Sequence, residues 1–107
     1  MTNDVFSVLA DPTRRRVLEL LSEEPRRPGE LAAAAGTSPP VMSRHLRVLL
    51  ESGLVVDERV PDDARARVFR LRPEPMRDVQ AWLEQLQAHW NEQLVSFRKH
   101  VENREDS

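Results

Sequence analysis

The chain predicts a mainly α-helical fold with one β-hairpin (α+β), in the order α-α-α-α-β-β-α. Three observations carry that prediction. A helix-capping residue stands before proline at Asp11-Pro12 and again at Ser38-Pro39, and proline suits the first helical position. Two β-rich runs, residues 54–60 and 67–72, flank a Pro-Asp-Asp turn. In the last third, large apolar residues recur at steps of 3 and 4, the spacing of one helix face.

Composition bounds the remainder. A chain of 107 residues with 39% hydrophobic and 32% charged residues fits a single domain, 1–107, whose core is adequate but not generous. The absence of Cys excludes disulfides and thiolate chemistry and suits a reducing compartment. No apolar run reaches the roughly 20 residues of a membrane span, and MTNDVFSVLA lacks the basic start and apolar run of a secretion signal. A cytoplasmic protein with no membrane partner is expected. The net charge is −2, yet residues 12–72 hold twelve Arg against nine acids, while residues 73–107 hold four basic residues against seven acids. That asymmetry turns the middle of the chain toward an anionic partner.

Taken in order, Val5, Phe6 and Leu9 suggest a short first helix. The second should run from Pro12 to about Ser22, capped by Asp11 and buried through Val17, Leu18, Leu20 and Leu21, and it ends before EEPRRPG. Residues 28–35 form a compact Ala-rich helix stopped by Gly36, which readily takes the left-handed conformation. Arg14, Arg15 and Arg16 oppose the dipole of the second helix and read as a solvated face.

The fourth helix carries the functional signal. Ser38 is its natural N-cap, with Pro39 and Pro40 at the first two positions, where a missing amide costs no intrahelical bond. Since Pro40 has no amide, the Ser38 hydroxyl can cap only Val41, and backbone anion binding at this end is disfavoured. A 100° wheel gathers Val41, Met42, His45, Leu46, Val48, Leu49 and Leu50 on one arc, and Pro40, Ser43, Arg44, Arg47 and Glu51 on the other. His45 reads as a packed, hydrogen-bonded core residue. Arg44 is placed to reach a base edge, Ser43 and Pro40 to add hydrogen bonding and apolar contact. Arg59, Arg65, Arg67, Arg70 and Arg72 decorate the hairpin that follows, with Arg65 and Arg67 near its tip as contacts to phosphate or minor groove. Helix, turn, polar-faced helix and Arg-bearing hairpin together outline a winged helix-turn-helix, with 1–72 as a DNA-binding core and 54–72 as its wing.

The runs DPTRRRVLELL, GELAAAAGTS and VMSRHLRVLLESGLV, followed by RVFRLR, resemble in order and spacing the ArsR-type family of winged helix-turn-helix transcriptional repressors, over residues 5–100. The resemblance implies a homodimer that binds a pseudo-palindromic operator in double-stranded DNA and represses transcription, with residues 38–52 as recognition helix. Metal sensors of that family often carry a Cys-x-Cys pair before the recognition helix, where this chain has Ala32, Ala33, Ala34 and Ala35. Others use Asp-x-His and His-x-x-His on the last helix. Here Asp78 is followed by Gln80, and His89, Glu92 and His100 do not assemble a ligand set. The chain looks closest to branches without metal ligands; no metal or cofactor is expected, and no small-molecule effector is readable.

Residues 73–103 should form one long helix, with 104–107 as a tail. Met76, Val79, Leu83, Leu86, Trp90, Leu94, Phe97 and Val101 make its seam. About thirty residues span ~45 Å, further than so small a domain covers, so part of the seam should pack on a second copy. Phe6, Leu83, Leu86, Trp90, Leu94 and Phe97 are the expected dimer interface. Catalysis has no support: the three His are separated, Ser43 and His45 point to different faces, and only three Gly are present, none in a phosphate loop. The competing readings are a winged-helix module that binds protein, which would not need Arg on both recognition helix and hairpin, and a metal-responsive repressor with an inter-subunit site.

Overall fold

The computed structural model describes residues 4–105. Its elements are α1 (Val5–Leu9), α2 (Pro12–Glu23), α3 (Pro28–Ala35), α4 (Pro39–Glu51), β1 (Val55–Val60), β2 (Asp63–Leu71) and α5 (Pro73–Glu105), in the predicted order. They divide into two compact units, Met1–Pro75 and Met76–Ser107.

In the first unit α1, α2 and α4 start at side-chain caps, while α3 opens on Pro28 without one. The Asp4 carboxylate accepts from the Phe6 amide at 3.2 Å and opens α1. Asp11 accepts from the amides of Thr13 at 2.8 Å and Arg14 at 3.1 Å, satisfying donors that the first turn of α2 leaves without intrahelical acceptors. The buried side of α2 is Val17, Leu18, Leu20 and Leu21. It meets Leu31 and Ala32 of α3 and Met42, Leu46 and Leu49 of α4 in a core completed by Val8, Leu54, Val55 and Phe69. Ala32, with only a methyl group, lets a neighbouring backbone come close. Helices α3 and α4 end alike. Gly36 (φ 68°) and Gly53 (φ 77°) take the left-handed conformation, and the next amides reach back, Thr37 to the Ala32 carbonyl at 3.0 Å and Leu54 to that of Leu49 at 3.1 Å. This six-to-one closure reverses the chain within two residues.

The hairpin departs from expectation at its tip. Strand β2 begins at Asp63, not at residue 67, so the turn shortens to Pro61-Asp62. Arg59 faces Arg67 while Val60 faces Asp63, and the register shift leaves residues 64–66 as a bulge. Asp63 stabilises it by accepting the Arg65 amide at 3.0 Å, a local hydrogen bond that no hydrophobic alternation announces. EEPRRPG is likewise more than a loop. Arg26 exchanges both backbone hydrogen bonds with Phe69, at 3.1 and 2.8 Å, and so adds a one-residue strand to the hairpin. The next amides that could face β2 are unavailable, since Pro28, the first residue of α3, has none and that of Glu24 is given to the Leu20 carbonyl.

The second unit is the greater part of α5. Its helix runs through Glu105, so Arg104 and Glu105 are helical where a tail was expected, and the remaining tail residues, 106 and 107, lie outside the described ones. Side chains four apart tie its polar surface, Gln80 to Glu84 at 3.3 Å and Gln87 to Asn91 at 3.0 Å. Along the seam Leu83, Leu86 and Leu94 are each 49% exposed, Trp90 59% and Phe97 67%. A lone helix has no interior in which to hide them.

Candidate nucleic-acid interface

Helix α4 divides as its wheel predicts. Met42, Leu46 and Leu49 are buried, and Pro40, Ser43, Arg44, Arg47 and Glu51 are exposed. At its start the Ser38 hydroxyl accepts from the Val41 amide at 3.4 Å, a long bond, because Pro39 and Pro40 leave no nearer donor. Ser38 and Pro39 are exposed beside it. Among the described residues neither Arg44 nor Arg47 forms an ion pair. A helix face with two uncommitted guanidiniums and a hydroxyl offers donors to an anionic, hydrogen-bonding surface.

The arginines of the hairpin are not equivalent, and spacing alone did not reveal the difference. Arg70 places its Nε and Nη2 on one oxygen of Glu58, at 3.1 and 2.6 Å, and this hydrogen bond, with the charge behind it, raises the Arg70 pKa further above its ordinary value. Arg72 approaches Glu74 at 3.9 Å. Arg67 gives Nη1 to Asp57 at 2.7 Å. Arg59 and Arg65 make no ion pair among the described residues. Arg65 therefore stands at the bulged tip as an uncommitted cation, while Arg67 lies lower, where it lines with Arg47, Ser43, Phe69 and Pro28 a groove of about 230 Å³ between hairpin and helix.

The upstream arginines have a structural use. Arg14 donates through Nε to the Val8 carbonyl at 2.9 Å, and Arg15 through Nη1 to that of Leu9 at 2.8 Å. These carbonyls lie in the last turn of α1, where a cation is favourable. Arg16 pairs with Glu19 on the surface. His45 is half-buried and not a core residue. Its Nδ1 sits 3.5 Å from Arg14 Nη1. Asp11 lies in the same network. The Arg14 amide, ahead of the His45 and Arg14 charges and the Thr13 amide, holds its carboxyl below the usual range against the opposing effect of burial.

Of the residues expected to join two copies, Phe6 in α1 is half exposed, as are the five on α5. Among the described residues no group of three or more His, Cys, Asp or Glu is placed to hold a metal ion, and no helix is long and apolar enough to cross a membrane.

A tight helix-turn-helix followed by an arginine-bearing hairpin defines a winged helix-turn-helix, a class of DNA-binding regulator. Comparison with known proteins agrees. The helix-turn-helix domain family matches residues 9–58. The chain is 33% identical over 101 residues to the HTH-type transcriptional regulator Rv2034 of Mycobacterium tuberculosis, covering 94% of this chain and 89% of that protein. The crystal structure of the ArsR family transcriptional regulator RHA00566 superposes with a TM-score of 0.71 at 36% identity, over 80% of this chain and 91% of that one. The solution structure of a homodimeric winged helix-turn-helix DNA-binding domain from Mycobacterium bovis, described as a possible ArsR-family regulator, gives a TM-score of 0.61 at 25% identity, over 78% of this chain and 75% of that one. This chain belongs to the ArsR family of winged helix-turn-helix transcriptional repressors, DNA-binding regulators and not enzymes.

Proposed function

We propose that the chain acts as a homodimer that represses transcription by seating α4 of each copy in the major groove of a pseudo-palindromic operator. The observation that carries this reading is the pair of uncommitted guanidiniums, Arg44 and Arg47, on the solvent face of α4. Arg44 reads a base edge, guanine being the partner that accepts two guanidinium bonds, while Ser43 and Pro40 supply a hydrogen bond and an apolar contact to a thymine methyl. Ser38 and Pro39 lie at the groove end of the helix. Arg47, Arg65 and Arg67 meet the sugar-phosphate backbone or the minor groove, giving affinity and register with little sequence information.

The exposed seam of α5 and the homodimeric state of the M. bovis domain support pairing of two copies. In this reading residues 1–72 hold the DNA-binding core and residues 73–103 pair the copies. Two copies read a two-fold site when their α4 helices stand about one DNA turn, roughly 34 Å, apart. The work is done in the cytoplasm, where the DNA is. An electrophoretic shift with DNA from the chain's own promoter tests the reading. A discrete complex that survives competition by random DNA is expected; no shift at micromolar protein would leave a protein-binding module as the better account.

A further inference from the structure

Arg47 and Arg67 come from different elements, yet they line one groove between α4 and β2. Arg67 spends one nitrogen there. Its Nη1 donates to Asp57 at 2.7 Å, and no other hydrogen bond of its guanidinium exists among the described residues. Arg70 differs, because it gives the whole Nε–Nη2 edge to Glu58. That edge is the fork that binds two oxygens of one phosphate. On Arg67 the fork is open, and the carboxylate that holds the other nitrogen is the less exposed partner, 30% against 58%. Asp57 thus acts as an anchor that fixes a long side chain otherwise free to sample many rotamers. Phe69 and Leu46, both buried, line the same groove as the two guanidiniums.

We propose that Arg47 and Arg67 form a single cradle for one phosphate of the DNA backbone in each half-site, and that Asp57 is its positioning residue. The proposal rests on the DNA-binding reading above. It assigns to an acidic residue, next to a polyanion, a role that strengthens binding. Simple charge repulsion predicts the opposite sign.

The test uses the full chain and its promoter DNA, with affinity measured across salt concentrations. Two cations at one phosphate release the counterions of one phosphate, so Arg47→Gln with Arg67→Gln lowers the log-log salt slope by about 2 per dimer; two separate phosphates would give about 4. Asp57→Ala weakens binding about tenfold in the native background and less than twofold in the Arg67→Gln background, the signature of two residues acting as a unit. Asp57→Asn retains an acceptor for Nη1 and restores affinity, which a general loss of folding would not allow. Tighter binding by Asp57→Ala, or a double-variant slope change near 4, overturns the cradle. A native chain that shifts no promoter DNA overturns the functional reading instead, so the two failures are distinct.

Discussion

In the proposed complex, Arg44 is the residue on which sequence specificity turns. Arg44→Ala should weaken operator binding by about 1–3 kcal/mol and relax preference at one position per half-site; titrations against operator and random DNA check it, and equal loss on both would remove Arg44 from base reading. Asp11 has the corresponding role in stability. Asp11→Ala should cost about 1 kcal/mol at neutral pH through the lost cap. Because the folded carboxyl is depressed, chiefly by the Arg14 amide, its contribution is present above the ordinary aspartate range and is lost as pH falls through the folded value. Denaturant titrations of both proteins should therefore differ at pH 7 and converge toward pH 2. Caps such as Asp11 and Ser38 are legible in the sequence because donor and acceptor lie within three residues. The use of Arg14 and Arg15 is not: read along α2 they oppose its dipole, and only the fold shows that they serve the carbonyls of α1.

Among the elements, the hairpin was the least legible. Its existence follows from two β-rich runs around Pro61, but Asp63, Ala64 and Arg65 have no strand-like alternation, and the bulge that follows Asp63 is held by one side-chain hydrogen bond. The bridge from Arg26 to Phe69 was hidden for a related reason, since a one-residue bridge has no period to detect. The bulge matters because it sets Arg65 at the tip without a carboxylate partner. Arg65→Gln should flatten the salt dependence by about one log-log unit for each copy while leaving base preference intact. An unchanged slope would take the wing tip off the DNA. Helix α4 was legible almost whole, its cap, its prolines and its two faces all being local or periodic features; His45 was misplaced because a wheel assigns direction and not depth.

At the scale of the whole molecule, the proposed function makes binding depend on pairing. Trp90→Ala and Phe97→Ala should each lower dimer stability and operator affinity together, although neither residue is assigned a DNA contact; large aromatics commonly anchor such interfaces. Sedimentation that finds a monomer at micromolar concentration with full operator binding would refute this. Zinc or a chelator should leave operator affinity unchanged, since no group of three or more metal-binding side chains converges among the described residues; a tenfold shift would reveal a site built between copies. The seam on α5 has a further consequence, in gene dosage. In the proposed dimer, a single helix with its apolar side chains half bare would gain its stability from a second copy, so folding and assembly would become one mass-action equilibrium. Where free chains predominate, the number of competent repressors follows the square of chain number, and dilution by cell growth releases the operator more steeply than it thins the protein. The thermal midpoint should accordingly rise with protein concentration, which makes the threshold measurable without DNA.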